Sequence, residues 1–538
     1  MSDTAILSAV TEVLGLTAPA EPSDNFFDLG GSSLAAIQLA LRLERELGVA
    51  VGPRAVLSAD TLAELIAGLA GSVGEITDPE STKSEPSAAS RQRASMAQQW
   101  ALDSARAEPD APPLQFQVGY LLRGPLDVER FQLALTAVCQ HHPELLVAFE
   151  RAGDHDRAVP VPAELPLVHH AWYLDKNYLD ESLTAQAAGA RAVALLTGAA
   201  RVPFNRESGL RLRALVVSCA TDRHYLMLSL DHLTADGWSL NVLVEDLSTA
   251  YAQLLDGQDV LLPPAGSYRD YSHRQWQGSS ERRAVLGDYW RSQLPADYAD
   301  FSLTLPGYRG PGPLRDPRTI ELPASERVAD ALAAAGASSR QSAFTLTAAA
   351  LCVLIARWTG RSQVRLLTSC ANRLGDPGGR TVGWFANGVF PTFELDPDVA
   401  FEGFAAEVAD RLANAMEHGD LPASYVRREV WPDAPAGYRK DTGIYLACND
   451  AWGESLSLPG CSVEAVELPD AADAPGLQLY LFREATGWVL RVLWHASEYD
   501  PDTARALGEQ LLELLERAEE LLPATLRELC SATAAAIR

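Results

Sequence analysis

Apolar positions recur at helical spacing in three stretches near the N-terminus. One runs from Thr4 to Leu14, one from Ser33 towards Glu46, and the third, TLAELIAGLAG, opens after Asp60, a residue type suited to an N-cap. They predict a small helical bundle. The periodicity then vanishes over SVGEITDPESTKSEPSAASRQR, rich in Ser, Pro and charge, which reads as a linker. As a flexible coil its roughly twenty residues would span about 25 Å, enough for the first unit to move between docking positions on its neighbour. Tethering would raise the effective concentration of whatever that unit carries.

Behind the linker, helix-like and strand-like patterns alternate over about 440 residues. GLRLRALVVSC (209–219) and HYLMLSL (224–230) read as adjacent strands joined by a short polar turn, and LNVLVEDLSTAYAQLL (240–255) as an amphipathic helix. The pairing recurs later. FTLTAAALCVLIARWTG (344–360) reads as a buried helix and QVRLLTSC (363–370) as a buried strand. Two α/β lobes fit this alternation, and its spacing leaves the strand order open.

The 538 residues exceed what one hydrophobic core serves, so several cores are expected. A hydrophobic content of 47% with 21% charged residues is that of a folded globular chain. The net charge of -27, with no compensating Lys/Arg-rich run, repels phosphate backbones and anionic lipid surfaces and argues against nucleic acid as a partner. The seven cysteines are scattered, without a CxxC pair or a neighbouring histidine cluster, so reduced thiols are expected and neither a disulfide framework nor a metal site. MSDTAILSAVTEVLGL lacks a basic leader region, and no run of about 18 apolar residues occurs. A cytoplasmic protein without membrane segments is the expectation.

Two stretches carry candidate chemistry. In DNFFDLGGSSLAAIQLALRLERELGV, Gly30 and Gly31 lead two serines into an amphipathic helix. Ser33 would lie near the helix's positive end, which favours a phosphate, although Ser32 or Ser33 also reads as an ordinary N-cap. In DHLTADGWS (231–239), a histidine and two aspartates surround a glycine directly after an apolar run. His232 reads either as a base for acyl transfer or as a hydrogen-bonded structural histidine at a strand end.

The first stretch, Asp24-x-Phe26-Phe27-x-Leu29-Gly30-Gly31-x-Ser33-Leu34, resembles the attachment motif of peptidyl carrier proteins. The resemblance spans residues 1–75 and implies 4'-phosphopantetheine linked covalently to Ser33. Residues 94–538 resemble the condensation domains of nonribosomal peptide synthetases. The likeness rests on Ser95 to Trp100 (SMAQQW), GPLDVERF (124–131), HPEL (142–145) with Phe149, YRDY (268–271), Ala371-Asn372-Arg373, Val382 to Asn387 (VGWFAN), and Asp231-His232-x-x-x-Asp236-Gly237. It implies α + α/β architecture: a helical carrier bundle, a linker over 76–93, then a V-shaped pair of chloramphenicol-acetyltransferase-like α/β lobes, 94–270 and 271–538, with the site in a tunnel between them. It also implies a carrier–condensation didomain in which a thioester donor on the Ser33 arm meets an acceptor amine near His232 and an amide forms, in antibiotic-type biosynthesis. His232, Asp236 and Gly237 are the expected site residues. Asp236 is expected to pair with an arginine, Arg373 or Arg380, and Gly237 to permit the turn into a helix starting near Ser239. The expected partners are an adenylation enzyme acting in trans, a phosphopantetheinyl transferase, and a downstream acceptor carrier or a soluble acceptor.

The signature is not complete. Asp231 replaces its first histidine, and Leu146 and Thr392 stand where the family has arginines. Neighbours in an extended segment point to opposite faces, so Asp231 is not expected to form a dyad with His232. Four other readings stay open on these residues: an ester product from an alcohol, a heterocyclisation variant using Asp231 and Asp236, an epimerisation variant, and a silent platform that recruits a tailoring enzyme.

Overall fold

The computed structural model describes four stretches of the chain. These are residues 3–71 except 15, 17, 27–28, 30–34, 37–38, 41, 44–50, 52–54, 57–58 and 60; residues 92–161 except 108 and 110–112; residues 172–173; and residues 185–531 except 206–208, 279, 298–301, 311–316, 374–378, 433–442, 451–455, 469–475 and 485–486. The linker up to residue 91, and Ser33, lie outside the described residues.

In the N-terminal unit, helices Asp3–Val13 and Leu62–Gly71 pack with helical residues between them around Ile6, Val10, Phe26, Leu39, Leu43 and Leu65. Asp60, the expected cap, is not described; the Thr61 hydroxyl accepts from the Glu64 N–H at 3.2 Å and caps that turn.

A five-stranded sheet forms the first large core, in the order Ser462–Val466, Gln115–Arg123, Arg223–Asp231, Leu212–Ala220, Trp172–Tyr173. All neighbours are antiparallel except the last pair. The central strand Arg223–Asp231 reads as a continuous apolar run because both of its faces are covered. Leu226, Leu228 and Leu230 meet one core, over which helices Val128–His141 and Gly237–Leu255 lie, whereas Tyr225 and Met227 meet another with Ala192 and Leu196 of helix Ala185–Ala200.

The second sheet runs Ile444–Asp450, Leu477–Glu484, Gly487–His495, Pro317–Pro323. Beneath it lies helix Ala343–Thr359, buried along almost its whole length. The Ser342 side chain accepts from the Thr345 N–H at its start, and Gly360 ends it in the left-handed region (φ 68°), which glycine enters without steric cost. The expected strand 363–370 is two strands. Gln363–Arg365 pairs with Thr392–Glu394, and Thr368–Cys370 pairs with Asn387–Val389. The break follows from Pro391 on the facing chain, which has no N–H for the ladder; its carbonyl accepts from the Leu366 N–H at 3.1 Å, while Leu367 turns to bridge Tyr445.

The two sheets share chain. Ser462–Val466 lies late in the sequence but pairs with Gln115–Arg123, from Gly119↔Val466 to Arg123↔Ser462. Helix Tyr268–Gln277 begins before residue 271 and ends after it, so that residue falls within a helix. No single described helix is long and apolar enough to cross a membrane.

Candidate functional site

Strand Arg223–Asp231 ends in a turn and is followed by helix Gly237–Leu255, so DHLTADG occupies the loop between a buried strand and a long helix. The start of the loop is held by bonds within it and by one to Leu114. The Asp231 carbonyl accepts from the Thr234 N–H at 3.0 Å and from its hydroxyl at 3.2 Å, and the His232 N–H donates to the Leu114 carbonyl at 3.0 Å.

Asp236 is the N-cap of the helix, and its carboxylate has five partners. Oδ1 accepts from the Ser239 N–H at 2.8 Å, from the Ser239 hydroxyl at 2.7 Å and from Arg373 Nη2 at 2.8 Å. Oδ2 accepts from the N–H groups of Phe385 and Ala386, each at 3.0 Å. Burial pushes this carboxyl up, but the Arg373 charge and the hydrogen bonds from Ser239 and Ala386 outweigh it and hold the group below the usual carboxylate range. So engaged, Asp236 has an architectural part and no lone pair left over for a reacting proton. Of the two arginines, Arg373 is the partner; Arg380 instead pairs with Glu245 at 3.0 Å and with Asp246. Gly237 differs from expectation as well. The helix begins at Gly237 and not near Ser239, and Gly237 has no positive φ, because the Asp236 cap starts the helix two residues earlier.

His232 is partly exposed. Its ring lies between Phe116, edge-on at 5.3 Å between centroids, and Trp384, tilted at 4.8 Å. Nδ1 is buried and makes no hydrogen bond among the described residues. Desolvation lowers the imidazole's pKa below the ordinary 6.5, against the opposing influence of nearby backbone and of the Asp236 and Asp231 charges. The ring is therefore neutral at pH 7 and able to accept a proton. Asp231 faces away from it, towards Arg211 at 3.0 Å.

Four of the segments behind the resemblance converge on this loop in one hydrogen-bonded network. Gln98 donates to the Leu233 carbonyl at 2.7 Å and to Glu144 at 2.9 Å, and its own carbonyl accepts from the Ser95 N–H at 2.9 Å. Arg269 donates through Nε to Glu144 at 2.8 Å and through Nη2 to Gln98 at 3.1 Å. The Tyr268 hydroxyl reaches Ser95 Oγ at 2.9 Å and the Trp384 carbonyl at 2.7 Å. The sequence alone gives Gln98, Glu144, Tyr268 and Arg269 no individual role; the signal for them is only that they lie in the motifs that carry the resemblance. Leu146 packs on the first core, and the Thr392 hydroxyl accepts from Arg365 Nε at 3.2 Å, so neither site of a missing arginine is left open.

Gly383 adds a steric condition. A Cβ there would stand 2.1 Å from the buried Tyr268 ring, and the Gly383 N–H and carbonyl both bond the Ser239 hydroxyl. Gly383→Ala is expected to destabilise the fold by about 1–3 kcal/mol or more, as overpacking does, measured by denaturant unfolding.

His141, His142 and Asp246 bring ligand atoms within 4.8 Å of one another. These groups are engaged already: His141 with the Pro263 carbonyl at 2.8 Å, His142 with Asp246 at 2.8 Å, and Asp246 with the Arg380 cation.

Residues 91–535 match the family described as condensation domain, and residues 4–69 that described as phosphopantetheine attachment site. The nonribosomal peptide synthetase kk1B of Curvularia clavata is 27% identical over 513 residues, covering 92% of this chain but 4% of that protein, so the chain spans a small part of its relative. Among solved structures, the X-domain from teicoplanin biosynthesis, alone and in complex with OxyB, is 20% identical, with TM-scores of 0.68 and 0.67 over 83% of this chain and 98% and 97% of those chains. The first condensation domain of the calcium-dependent antibiotic synthetase is 17% identical, with a TM-score of 0.66 over 81% of this chain and 98% of that one. These likenesses carry the α/β fold of condensation domains.

Proposed function

We propose a reaction for a chain that belongs to the condensation-domain family and bears a phosphopantetheine attachment domain ahead of it: transfer of an acyl or aminoacyl donor from the carrier to an acceptor amine, with formation of an amide. Bound on Ser33, 4'-phosphopantetheine supplies a thiol that holds the donor as a thioester. Ser33 suits that linkage because its hydroxyl can form the phosphodiester; Phe26, Ala36 and Leu39, near it in sequence, are buried.

The carrying observation is the division of labour in the loop. Asp231, Thr234, Asp236 and Ser239 are all engaged in holding the backbone, whereas the neutral His232 ring is held by aromatic contacts and is partly exposed. Such a ring can accept the proton that an amine loses on attacking a thioester, or align that amine by a hydrogen bond. Gly237 stands in the first turn of a helix, where N–H groups lack intrahelical partners, and so offers a donor near the developing oxyanion. The adenylation enzyme, the phosphopantetheinyl transferase and the acceptor carrier or soluble acceptor are further proteins or molecules that this reaction requires. The setting we assign is the cytoplasm, supported by Cys139, Cys219, Cys352, Cys370, Cys461 and Cys530, which are free thiols.

The test is intact-protein mass spectrometry after phosphopantetheinylation and donor loading. Ser33→Ala is expected to show no pantetheine mass, and wild type to lose its donor when an acceptor is added. Product that does not depend on His232 with any acceptor would favour the second reading, a platform that recruits a tailoring enzyme; the Asp231 replacement and the teicoplanin X-domain's complex with OxyB support that reading. The pH profile gives an independent check. Because burial holds the His232 imidazole below 6.5, the rate at a fixed concentration of free-base acceptor should fall through protonation of His232 only as the pH drops below that value.

A further inference from the structure

Asp231 occupies the position of the signature's first histidine, and it is tied twice to one residue of the adjacent strand segment. Its N–H donates to the Arg211 carbonyl at 3.0 Å, and its Oδ2 accepts from Arg211 Nη1 at 3.0 Å; Oδ1 accepts from the Leu233 N–H at 3.0 Å. Arg211 is fully buried. Its own N–H donates to the Leu145 carbonyl at 3.0 Å, Nε to the Val147 carbonyl at 2.8 Å, Nη1 also to the Asn205 carbonyl at 3.3 Å, and its guanidinium lies 5.1 Å from the Phe149 ring centroid. The residue immediately before His232 is thus clamped at backbone and side chain by a cation rooted in the HPEL segment.

We propose that Arg211 and Asp231 are a positioning pair for His232, in which a buried carboxylate answering a buried guanidinium takes the place of the signature's first histidine. The pair acts on His232 in the reaction proposed above and touches neither donor nor acceptor. Its consequence runs against what the family signature implies: returning position 231 to histidine impairs the site. An imidazole there would confront the Arg211 cation without supplying a negative charge, and the Leu233 N–H would lose its acceptor. The loop carrying His232 would keep the Asp236 and Gln98 bonds on its carboxyl side, while its amino side kept only the backbone bonds to Arg211 and Leu114.

The pair also sets the field at the ring. The charged groups on the elements around His232 are Asp231 at the strand end, Arg211 on the neighbouring strand segment, Asp236 at the helix cap, Arg373 beside that cap, Glu144 within the HPEL segment, and Arg269 on helix Tyr268–Gln277. Asp231→Asn keeps an acceptor for Leu233 and removes only the charge, leaving the Arg211 cation to disfavour a second positive charge on the imidazole.

The test uses the full chain labelled with 15N-histidine, the His232 resonances being assigned by their absence from His232→Ala. Asp231→Asn should move the His232 titration to lower pH than in wild type, whereas Arg211→Lys, which keeps the charge, should leave it near the wild-type position. In parallel, Ser33 is loaded with each of a panel of aminoacyl-pantetheines and alanyl-N-acetylcysteamine is the acceptor. Asp231→His and Asp231→Asn should lose at least about tenfold in kcat, with loading of Ser33 unchanged. Where Asp231→His does not fold, Asp231→Asn decides. An Asp231→His variant that transfers as fast as wild type, or a His232 titration indifferent to Asp231→Asn, overturns the pairing role. Absence of transfer from wild type itself would instead strike the proposed reaction, while the titration still reads the pair.

Discussion

Replacing His232 by alanine should slow donor transfer by about 10²- to 10⁴-fold, the range for loss of one positioned proton acceptor, with the pantetheine mass on Ser33 unchanged. The ring is partly exposed and its contacts are to Phe116 and Trp384, so its removal leaves the loop's polar bonds in place. Folding should therefore survive. The residual rate has a reason too: aligning two tethered reactants supplies about 7–11 kcal/mol, and His232→Ala leaves the tether on Ser33 in place. The discriminating measurement is single-turnover donor loss from Ser33 by mass spectrometry, beside the thermal unfolding of the variant. Undiminished transfer in a folded His232→Ala protein would reduce the site to a template and remove the base.

Asp236→Ala should act in the opposite way, through the fold. Asp236 is 1% exposed and Arg373 is equally buried, so truncating the carboxylate strands a guanidinium away from water together with the N–H groups of Ser239, Phe385 and Ala386. Breaking a buried pair from one side typically destabilises by about 3–5 kcal/mol, and loss of a helix cap adds about 1 kcal/mol. The joint between helix Gly237–Leu255 and the 383–386 segment comes apart with it. Denaturant unfolding should show the midpoint fall, and transfer should vanish because the loop is lost. A stable Asp236→Ala protein with normal unfolding but no transfer would reassign Asp236 from architecture to chemistry. The contrast between the variants separates the two roles: one keeps the fold and loses rate, the other loses both.

Much of the site is legible in the sequence, but unevenly. His232, Asp236 and Gly237 lie within six residues, so their association is local and a strand-loop-helix reading places them together. That Asp236 needs an arginine is also readable from the resemblance; which arginine is not. Arg373 and Arg380 are seven residues apart, yet one reaches Asp236 at the start of helix Gly237–Leu255 and the other Glu245 and Asp246 in its middle. Arg211 is the least legible. It stands as a charge interrupting GLRLRALVVSC, and only its burial against Asp231 and Val147 shows what the interruption is for. The split of the expected strand 363–370 has the same origin: its cause, Pro391, sits more than twenty residues away on the facing chain.

By itself the sequence determined the local elements, since periodicity, capping residues such as Ser342 and stops such as Gly360 act over a few neighbouring residues. It also determined, through the spacing of DHLTADG and the motifs that resemble a known family, which chemistry to look for. Only the tertiary structure decided the partners: Gln98 with Leu233, Asp236 with Arg373, Asp231 with Arg211, and the late strand Ser462–Val466 with the early strand Gln115–Arg123. The physical reason is that a buried charge or an open strand edge must find its complement wherever the chain brings one close. That proximity is a property of the packed whole, and residue spacing carries no record of it.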